Sequence, residues 1–401
     1  MIKRELYLQK LIKFSDQPII KVITGMRRSG KSTLLRLYAQ YLHEQGVEAE
    51  KILLINFEAM EYDSITDYKQ LYAHIKERIG EMQGVYVILD EVQQVRQWEK
   101  AVNSLLLEGQ ADIYITGSNA WLLSSELSTL LSGRYVEISV FPLSFAEYLE
   151  FLPTERTVER EKAFQDYLKF GGMPMVTNLP QHEEVIRQYL QGIYNTVMMK
   201  DIVQRNTVRD PALLEHLIRF LADNIGNPVS SKKISDYLTS VGRKTNSMTI
   251  DNYLRMLEAA YIVYKAQRYD IKGKLHLKTL EKYYLVDNGI RNVLLGFRTG
   301  DYGHILENIV YMELLRRGYV VSVGKVGTLE VDFIATNAMR KMYCQVSASI
   351  TDSTTLEREL RPLQAISDNY EKYIISMDKT YIQDYEGIQL INLLDFLLQS
   401  D

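Results

Sequence analysis

The sequence of 401 residues is poor in the residue types that mark several classes of protein. Its single cysteine, Cys344, excludes an internal disulfide and a zinc site built from cysteines. With 22 glycines, 8 prolines and no low-complexity run, the chain is not mainly disordered or fibrous. No apolar stretch approaches the roughly 20 residues that cross a bilayer, and the charged first residues are unlike a secretory signal. The net charge of −4 gives no overall attraction to nucleic acid or membranes. We expect a soluble, cytoplasmic protein of roughly two to four domains.

A phosphate-binding motif lies near the start of the chain. A β-branched run at 19–24 leads directly into GMRRSGKS at 25–32, and apolar residues at helical spacing follow. This order of strand, glycine-rich loop and helix is the context that a phosphate-binding loop requires. In such a loop the lysine reaches the β- and γ-phosphates of ATP, and the serine hydroxyl binds Mg²⁺. The predicted cofactor-binding residues are Gly25, Arg28, Ser29, Gly30, Lys31, Ser32 and Thr33.

An acidic pair follows a later strand. The apolar run at 85–89 ends in Asp90 and Glu91, and ligands bind at the carboxyl ends of buried parallel strands. We expect Asp90 to hold Mg²⁺ beside Ser32, and Glu91 to polarise the water that attacks the γ-phosphate. The alternative is that both acids only cap the helix near Trp98. Beside a phosphate loop, the pair favours ATP hydrolysis over phosphoryl transfer to a metabolite.

Other polar residues of this segment each have more than one possible role. The strand at 113–116 is followed by Ser118 and Asn119, and either could contact the γ-phosphate or the attacking water; both also suit a turn. Arg134 begins the next strand, where it is either an arginine finger, in cis or across an oligomer, or a solvated surface residue. Arg27 and Arg28 suit phosphate binding and equally suit an outward contact with a partner.

A basic segment lies in the middle of the chain. The glycines and proline of GGMP at 171–174 indicate a lid or connector. Beyond it, three helices and a basic hairpin follow in the order of a winged helix. Between 229 and 282, eleven Lys and Arg against five Asp and Glu give +6, which leaves −10 for the rest of the chain. The basic residues are Lys232, Lys233, Arg243, Lys244, Arg255, Arg268, Lys272 and Lys274.

This basic segment has two interpretations. Its charge would neutralise several phosphates of double-stranded DNA, and its third helix would enter the major groove. The residues then nearest the base edges are Thr245, Asn246, Thr249 and Asn252. Alternatively, the winged helix is a protein-binding or packing module, because surface lysines are common.

The last hundred residues show the order helix, three strands, helix, strand, which resembles the core of PD-(D/E)XK nucleases. That resemblance implies metal ligands at Glu307 and Asp332 and a Glu-x-Lys on the third strand. Here the third strand carries Gln345 and Ser347 instead. The amide weakens metal binding and the lysine is missing, so we expect a degenerate domain rather than an active nuclease.

Taken together, the motifs resemble one family. GMRRSGKST, ILDEVQ, ITGSNAWLLS, GGMP and YLVDNGIRN are similar to prokaryotic AAA-type ATPases that bear a C-terminal domain of unknown function. The resemblance implies an α/β fold: an AAA-like P-loop sheet, a winged-helix segment and a restriction-endonuclease-like terminus. We expect an ATPase domain at 1–150, a helical lid at 151–205, a winged helix at 206–295 and the nuclease-like domain at 296–401. It also implies ATP and Mg²⁺ as cofactors, with DNA, a protein or a second copy of the chain as possible partners, and no membrane.

Overall fold

The computed structural model describes residues 2–117, 131, 133–153, 158–180, 182–206, 208–379 and 384–399. These residues form two compact units. The first comprises Met1–Pro142 with Ala259–Tyr261, and the second comprises Leu143–Glu258 with Ile262–Asp401. Within the described ranges, no helix combines the length and apolar character that a membrane span needs.

The first unit is built on a parallel sheet of five strands. The strands are β1 (Ile20–Thr24), β2 (Ile52–Asn56), β3 (Val85–Asp90), β4 (Ala111–Thr116) and β5 (Tyr135–Ser139). Their order across the sheet is β2-β3-β4-β1-β5, and every neighbouring pair is parallel. Strand β4 therefore separates the strand before the phosphate loop from the strand that ends in the acidic pair, which confirms the predicted parallel P-loop sheet.

Helices cover both faces of this sheet, so that every residue of β1 and β3 is buried. They are α1 (Glu5–Lys13), α2 (Lys31–Glu44), α3 (Tyr68–Ile79) and α4 (Trp98–Glu108), with short 3₁₀ turns at Ala49–Lys51, Met60–Tyr62 and Val92–Gln94. Alternate residues of β1 face opposite layers. Val22 packs with α3 and α4, whereas Ile23 packs with α1 and α2.

The second unit contains helices before, between and after its strands. They are α5 (Phe145–Phe151), α6 (Arg160–Phe170), α7 (Glu183–Thr196), α8 (Pro211–Asp223), α9 (Ser231–Ser240), α10 (Ser247–Ala259), α11 (Asn288–Leu295), α12 (Tyr302–Arg316), α13 (Ser353–Gln364) and α14 (Leu393–Leu398). Helix α7 continues as a π-helix over Val197–Gln204, and 3₁₀ turns lie at Pro174–Asn178 and Thr299–Asp301. The helices α8, α9 and α10 occupy the segment predicted to hold the helices of a winged helix.

The strands of the second unit join into one mixed sheet of eight. They are β6 (Val263–Asp270), β7 (Leu275–Leu285), β8 (Val320–Val326), β9 (Leu329–Thr336), β10 (Lys341–Ser347), β11 (Glu371–Ser376), β12 (Asp384–Tyr385) and β13 (Ile388–Asn392). The order is β12-β13-β11-β10-β9-β8-β6-β7. The predicted wing hairpin, β6 with β7, is thus part of the C-terminal sheet, because β6 pairs with β8 in parallel.

The GGMP segment is a packing feature of the second unit. The N–H of Gly172 donates to Oδ2 of Asp287 at 2.6 Å. Gly171 has a φ of +75°, and a Cβ there would lie 2.2 Å from Oδ1 of the same carboxylate. Burial raises the pKa of Asp287 to about 6, although the N–H donors of Gly172, Ile290 and Gly289 act in the opposite direction. The two glycines therefore let the chain approach a buried carboxylate closely.

Candidate nucleotide site of the AAA-like sheet

The backbone of residues 25–30 forms a cradle at the end of β1. Gly25 has a φ of +134°, and a Cβ there would lie 2.1 Å from the carbonyl oxygen of Val140. Arg28 has a φ of +69°, a left-handed conformation that is uncommon for a residue with a side chain. Gly30, with a φ of +103°, precedes α2. Since glycine has no side-chain oxygen to cap the helix, the first N–H groups of α2 are left for an anion.

Two side chains of the loop, those of Lys31 and Ser29, suit a ligand with several oxygen atoms. The Lys31 ammonium is buried and donates to the carbonyl oxygens of Gly25 at 2.9 Å and Met26 at 3.1 Å. The Ser29 hydroxyl is fully buried, and its Oγ has no hydrogen-bond partner among the described residues. A buried hydroxyl without a partner costs about 1–3 kcal/mol, so the cradle is not fully satisfied by its own groups.

The acidic pair is held by a threonine from the neighbouring strand. The Thr116 hydroxyl at the end of β4 donates to Oδ1 of Asp90 at 2.5 Å, and its oxygen accepts from the N–H of Glu91 at 2.8 Å. All three residues are buried. Glu91 has a φ of +56°, and its carboxylate accepts a hydrogen bond from the Gln93 amide. Helix α4 begins at Trp98 with Gln97 as its N-cap, so neither acid caps it.

The sheet register puts these groups at one edge. Ile23 of β1 pairs with Thr116 of β4, and Leu89 of β3 pairs with Ile115 of β4. Because the three strands are parallel, the phosphate loop, Thr116 and the acidic pair all follow the carboxyl ends of adjacent strands. The sequence pointed to residues 118 and 119 at the tip of β4. Thr116 lies two residues earlier and was missed, although its polar side chain at a strand end was a visible signal.

A buried arginine supports the loop from behind. The Arg4 guanidinium donates to the carbonyl oxygens of Ser29 at 2.9 Å, Phe141 at 2.8 Å and Pro142 at 3.5 Å. It also lies over the ring of Tyr7, 4.5 Å from the centroid. The sequence carries no signal for this contact, because its partners are 25 and 137 residues away.

The other predicted loop residues lie closer to solvent. Ser32 is half-buried and Thr33 is exposed on the first turn of α2. Arg28 is exposed, which suits an outward contact as well as a phosphate. Arg27 forms an ion pair with Glu58, with 3.0 Å between Nη1 and Oε1.

Two of the predicted catalytic residues, Asn119 and Arg134, stay predictions. Asn119, like Ser118, lies outside the described residues. Arg134 is exposed directly before β5, and its carbonyl oxygen accepts from the N–H of Ile20. Its role as an arginine finger stays a prediction.

Comparison with known proteins identifies the first domain. A family model described as an AAA domain matches residues 17–149, and a model described as a domain of unknown function (DUF8612) matches residues 161–301. An uncharacterized protein of Haemophilus influenzae is 46% identical over 402 residues, which cover 100% of this chain and 99% of that protein. The chain belongs to the same family as this Haemophilus influenzae protein, and its residues 17–149 form an AAA domain.

Other similarities agree with this assignment. The uncharacterized protein MJ1544 of Methanocaldococcus jannaschii is 31% identical over 365 residues, which cover 87% of this chain and 79% of that protein. Among solved structures, the Walker-type ATPase PABY2304 of Pyrococcus abyssi is 17% identical, covers 73% of this chain and 96% of its own, and has a TM-score of 0.51. At that identity the likeness shows the P-loop fold alone.

Outside the AAA domain, the predicted DNA-binding residues are largely accessible. Lys232, Lys233, Lys244, Arg255, Lys272, Lys274, Asn246 and Asn252 are exposed, whereas Arg243, Arg268, Thr245 and Thr249 are half-buried. Asn246 is occupied in part, because its Oδ1 accepts from the N–H of Thr249 at 2.9 Å near the start of α10. The segment therefore presents a basic surface, with at least one predicted base-contacting side chain already used as a helix cap.

The predicted nuclease residues do lie together. Gln345 of β10 accepts from the N–H of Asp332 at 2.7 Å, and Asp332 accepts from the N–H of Val346 at 2.9 Å. Burial and the charge of Glu307 raise the pKa of Asp332 above its usual range, against the opposing effect of Lys282. The Ser347 hydroxyl at the end of β10 donates to the carbonyl oxygen of Ser349 at 3.0 Å, and this residue supplies no cation.

Proposed function

We propose that this AAA-family protein binds ATP with Mg²⁺ and hydrolyses it. The observation that carries the proposal is the backbone cradle at 25–30 on the same sheet edge as the buried acidic pair. Lys31 exchanges its loop carbonyl partners for phosphate oxygens, and Ser32 and Asp90 hold Mg²⁺, whose charge offsets that of the phosphates. Glu91 accepts a proton from the attacking water. Because ATP is the substrate, the proposal implies a cytoplasmic protein.

The hydrolysis proposal is tested with two matched variants. Lys31→Ala removes the ammonium that would bind phosphate, so ATP binding and turnover should both be lost. Glu91→Gln keeps the size of the side chain, so ATP should still bind while kcat falls about 10²- to 10⁴-fold. Lys69→Ala, at an exposed lysine of α3, is the control for lysine removal. Wild-type turnover in Lys31→Ala would refute the site assignment.

We further propose that the basic segment binds double-stranded DNA and that ATP state controls this binding. Six basic residues of the segment are exposed and suit phosphate contacts. If about six phosphates are neutralised, duplex affinity should fall roughly 10³-fold between 50 and 200 mM salt. Fluorescence anisotropy with a labelled duplex measures this slope.

The matched DNA-binding variants reverse charge at comparable lysines. Lys232→Glu with Lys233→Glu should weaken duplex binding on every sequence and reduce the salt slope by about two. The same change at Lys13 and Lys69, two exposed lysines of the AAA domain, should leave it unaltered. A duplex that binds equally to both double variants would contradict the DNA assignment.

A second function is supported by apolar exposure in the same segment. Tyr237, Val241 and Met248 are 48%, 52% and 74% exposed, and such residues are typical of protein contacts rather than phosphate contacts. In this alternative, the segment binds a protein partner under the control of ATP. No duplex binding at about 50 mM salt, together with unchanged ATPase rates on addition of DNA, would favour the protein partner.

An oligomer with a shared active site is the last part of the proposal. If Arg134 acts in trans, a mixture of Arg134→Ala and Lys31→Ala should regain ATPase activity, since one variant supplies the arginine and the other the phosphate loop. A homo-oligomer should also show a specific activity that rises with protein concentration. No recovery in the mixture would rule out the trans role.

A further inference from the structure

A lysine lies inside a group of carboxylates in the C-terminal sheet. We call Glu307, Glu330 and Asp332 the carboxylate cluster. The Lys282 ammonium lies 3.1 Å from Oε1 of Glu307, 2.9 Å from Oε1 of Glu330 and 3.9 Å from Oδ1 of Asp332. Its side chain is 3% exposed. The lysine comes from β7, whereas its partners come from α12 and β9.

Burial makes this ammonium dependent on its partners. Transfer of one ammonium from water to a protein interior costs several kcal/mol even after relaxation, so it is stable only beside opposite charges. Here three carboxylates surround the Lys282 ammonium, and Arg268 approaches the other oxygen of Glu330, with 3.9 Å between Nη2 and Oε2. The Tyr284 hydroxyl adds a hydrogen bond to Oε1 of Glu307 at 2.7 Å, the same oxygen that contacts Lys282. The positive charge therefore lies at the point where the carboxylates converge.

The amide of Gln345, at the third-strand position of the nuclease pattern, forms hydrogen bonds through both its oxygen and its nitrogen. The Gln345 side chain is buried, its Oε1 accepts from the N–H of Asp332, and its Nε2 donates to Oε2 of Glu359 at 2.8 Å. This amide links β10 to the backbone of β9 and to the Glu359 carboxylate, and its oxygen is already occupied by a hydrogen bond. Where the nuclease pattern requires a charged ligand, this residue therefore works as a structural bridge.

Access to the carboxylate cluster is restricted on the side of Glu307. Gly226, after helix α8, has a φ of +72°, and a Cβ there would lie 2.6 Å from Oε2 of Glu307. Glu307 as a whole is 9% exposed. A phosphodiester on its way to this carboxylate would meet the backbone of the Gly226 segment.

We propose that the Lys282 ammonium is the permanent cation of the carboxylate cluster and stands where a divalent metal ion would otherwise bind. The C-terminal domain is then closed to metal-dependent hydrolysis of nucleic acid. The ion pair instead fixes the β6–β7 hairpin to α12 and β9. This inference concerns the second unit alone and goes beyond the proposed ATPase and DNA-binding functions.

Manganese binding tests the proposal. The full chain without nucleotide, carrying Asp90→Asn to silence the proposed magnesium site of the AAA domain, is titrated with Mn²⁺ by electron paramagnetic resonance. We expect no site tighter than about 1 mM in this protein. With Lys282→Ala added, one Mn²⁺ should bind at least about tenfold more tightly, because the cation that the three carboxylates share is gone and Glu330 alone keeps a second partner, Arg268. Adding Asp332→Asn should abolish that gain.

The measurement stays decisive if Lys282→Ala folds poorly. Lys282→Met keeps the volume of the side chain. In the Asp90→Asn background, Mn²⁺ should raise the Tm of the Lys282→Met protein but not that of the protein with Lys282, because binding stabilises only the folded state. A tight Mn²⁺ site in the Asp90→Asn protein that disappears with Asp332→Asn would overturn the proposal. So would a folded Lys282 variant that binds no Mn²⁺, and so would Mn²⁺-dependent plasmid nicking that Asp332→Asn abolishes.

Discussion

Thr116 provides the sharpest test of the candidate nucleotide site, because one hydroxyl serves both acids. Thr116→Val keeps the shape of the side chain and removes only the oxygen. That oxygen donates to Asp90 at 2.5 Å and accepts from the N–H of Glu91 at 2.8 Å, in a place where all three residues are buried. The substitution therefore leaves one carboxylate oxygen and one N–H without a partner.

The expected loss of stability follows from these two hydrogen bonds. A hydrogen bond to a charged group contributes about 1.5–3 kcal/mol and a neutral one about 1 kcal/mol, so unfolding should become easier by about 2–4 kcal/mol. Without its anchor, the backbone at Glu91 shifts. A displacement of about 1 Å at a catalytic group lowers kcat about 100-fold. ATP affinity should change little, since the cradle at 25–30 is untouched.

The assay combines urea denaturation with ATPase kinetics and ATP binding on the same preparation. Thr116→Ser is the control. It retains the oxygen and loses one methyl group, so it should cost only about 0.8 kcal/mol and keep most of the turnover. A Thr116→Val protein with wild-type kcat and wild-type stability would show that the hydrogen bonds of this hydroxyl with the acids contribute neither to stability nor to turnover.

Three further predictions follow from buried contacts. Arg4→Ala should lower stability by about 3 kcal/mol and weaken ATP binding, measured by denaturation and calorimetry, because the carbonyl oxygens that it satisfies lose their donor; unchanged ATP binding would contradict a supporting role. Gly25→Ala should abolish ATP binding in a filter assay, since its Cβ would lie 2.1 Å from the carbonyl oxygen of Val140. The pKa of Asp287 is raised to about 6, so the folded state holds this proton more tightly than the unfolded state. The stability of the wild type relative to Asp287→Asn should therefore fall by about 2 kcal/mol as the pH rises from 4 to 7, and a flat difference in urea titrations would refute this.

The sequence was sufficient for the elements that depend on local pattern. The β-branched run at 19–24 and the glycines after it predicted β1, the phosphate loop and α2 closely. The acidic pair after 85–89 was placed correctly at the end of β3. These features rest on period, turn residues and helix starts, which neighbouring residues encode.

Long-range contacts were beyond the reach of the sequence. Lys21 lies within β1 and is fully buried, and its ammonium forms an ion pair with Asp112. From the sequence alone, a lysine in a strand usually indicates an exposed face. The runs at 261–264 and 282–286, which are rich in tyrosine and β-branched residues, predict two short strands for the basic hairpin. The structure extends them to Val263–Asp270 and Leu275–Leu285 and joins them to the C-terminal sheet through pairing with residues 323–325. Such pairing depends on register between distant segments.

The apolar spacing from 183 to about 204 predicts one long helix, which is correct in extent but not in type. The described chain is α-helical over Glu183–Thr196 and changes to a π-helix over Val197–Gln204. The π-helix has only eight residues, about two turns, so the apolar spacing within it is too short a pattern to distinguish it from an α-helix.

Arg4 gives the AAA domain a mechanical property. Its guanidinium holds the carbonyl oxygen of Ser29 in the phosphate loop and those of Phe141 and Pro142, the last residues before the chain leaves the first unit. A rigid planar group cannot follow acceptors that separate. Any displacement of Ser29 during a nucleotide cycle must therefore either pull the exit of the sheet along with it or break these bonds.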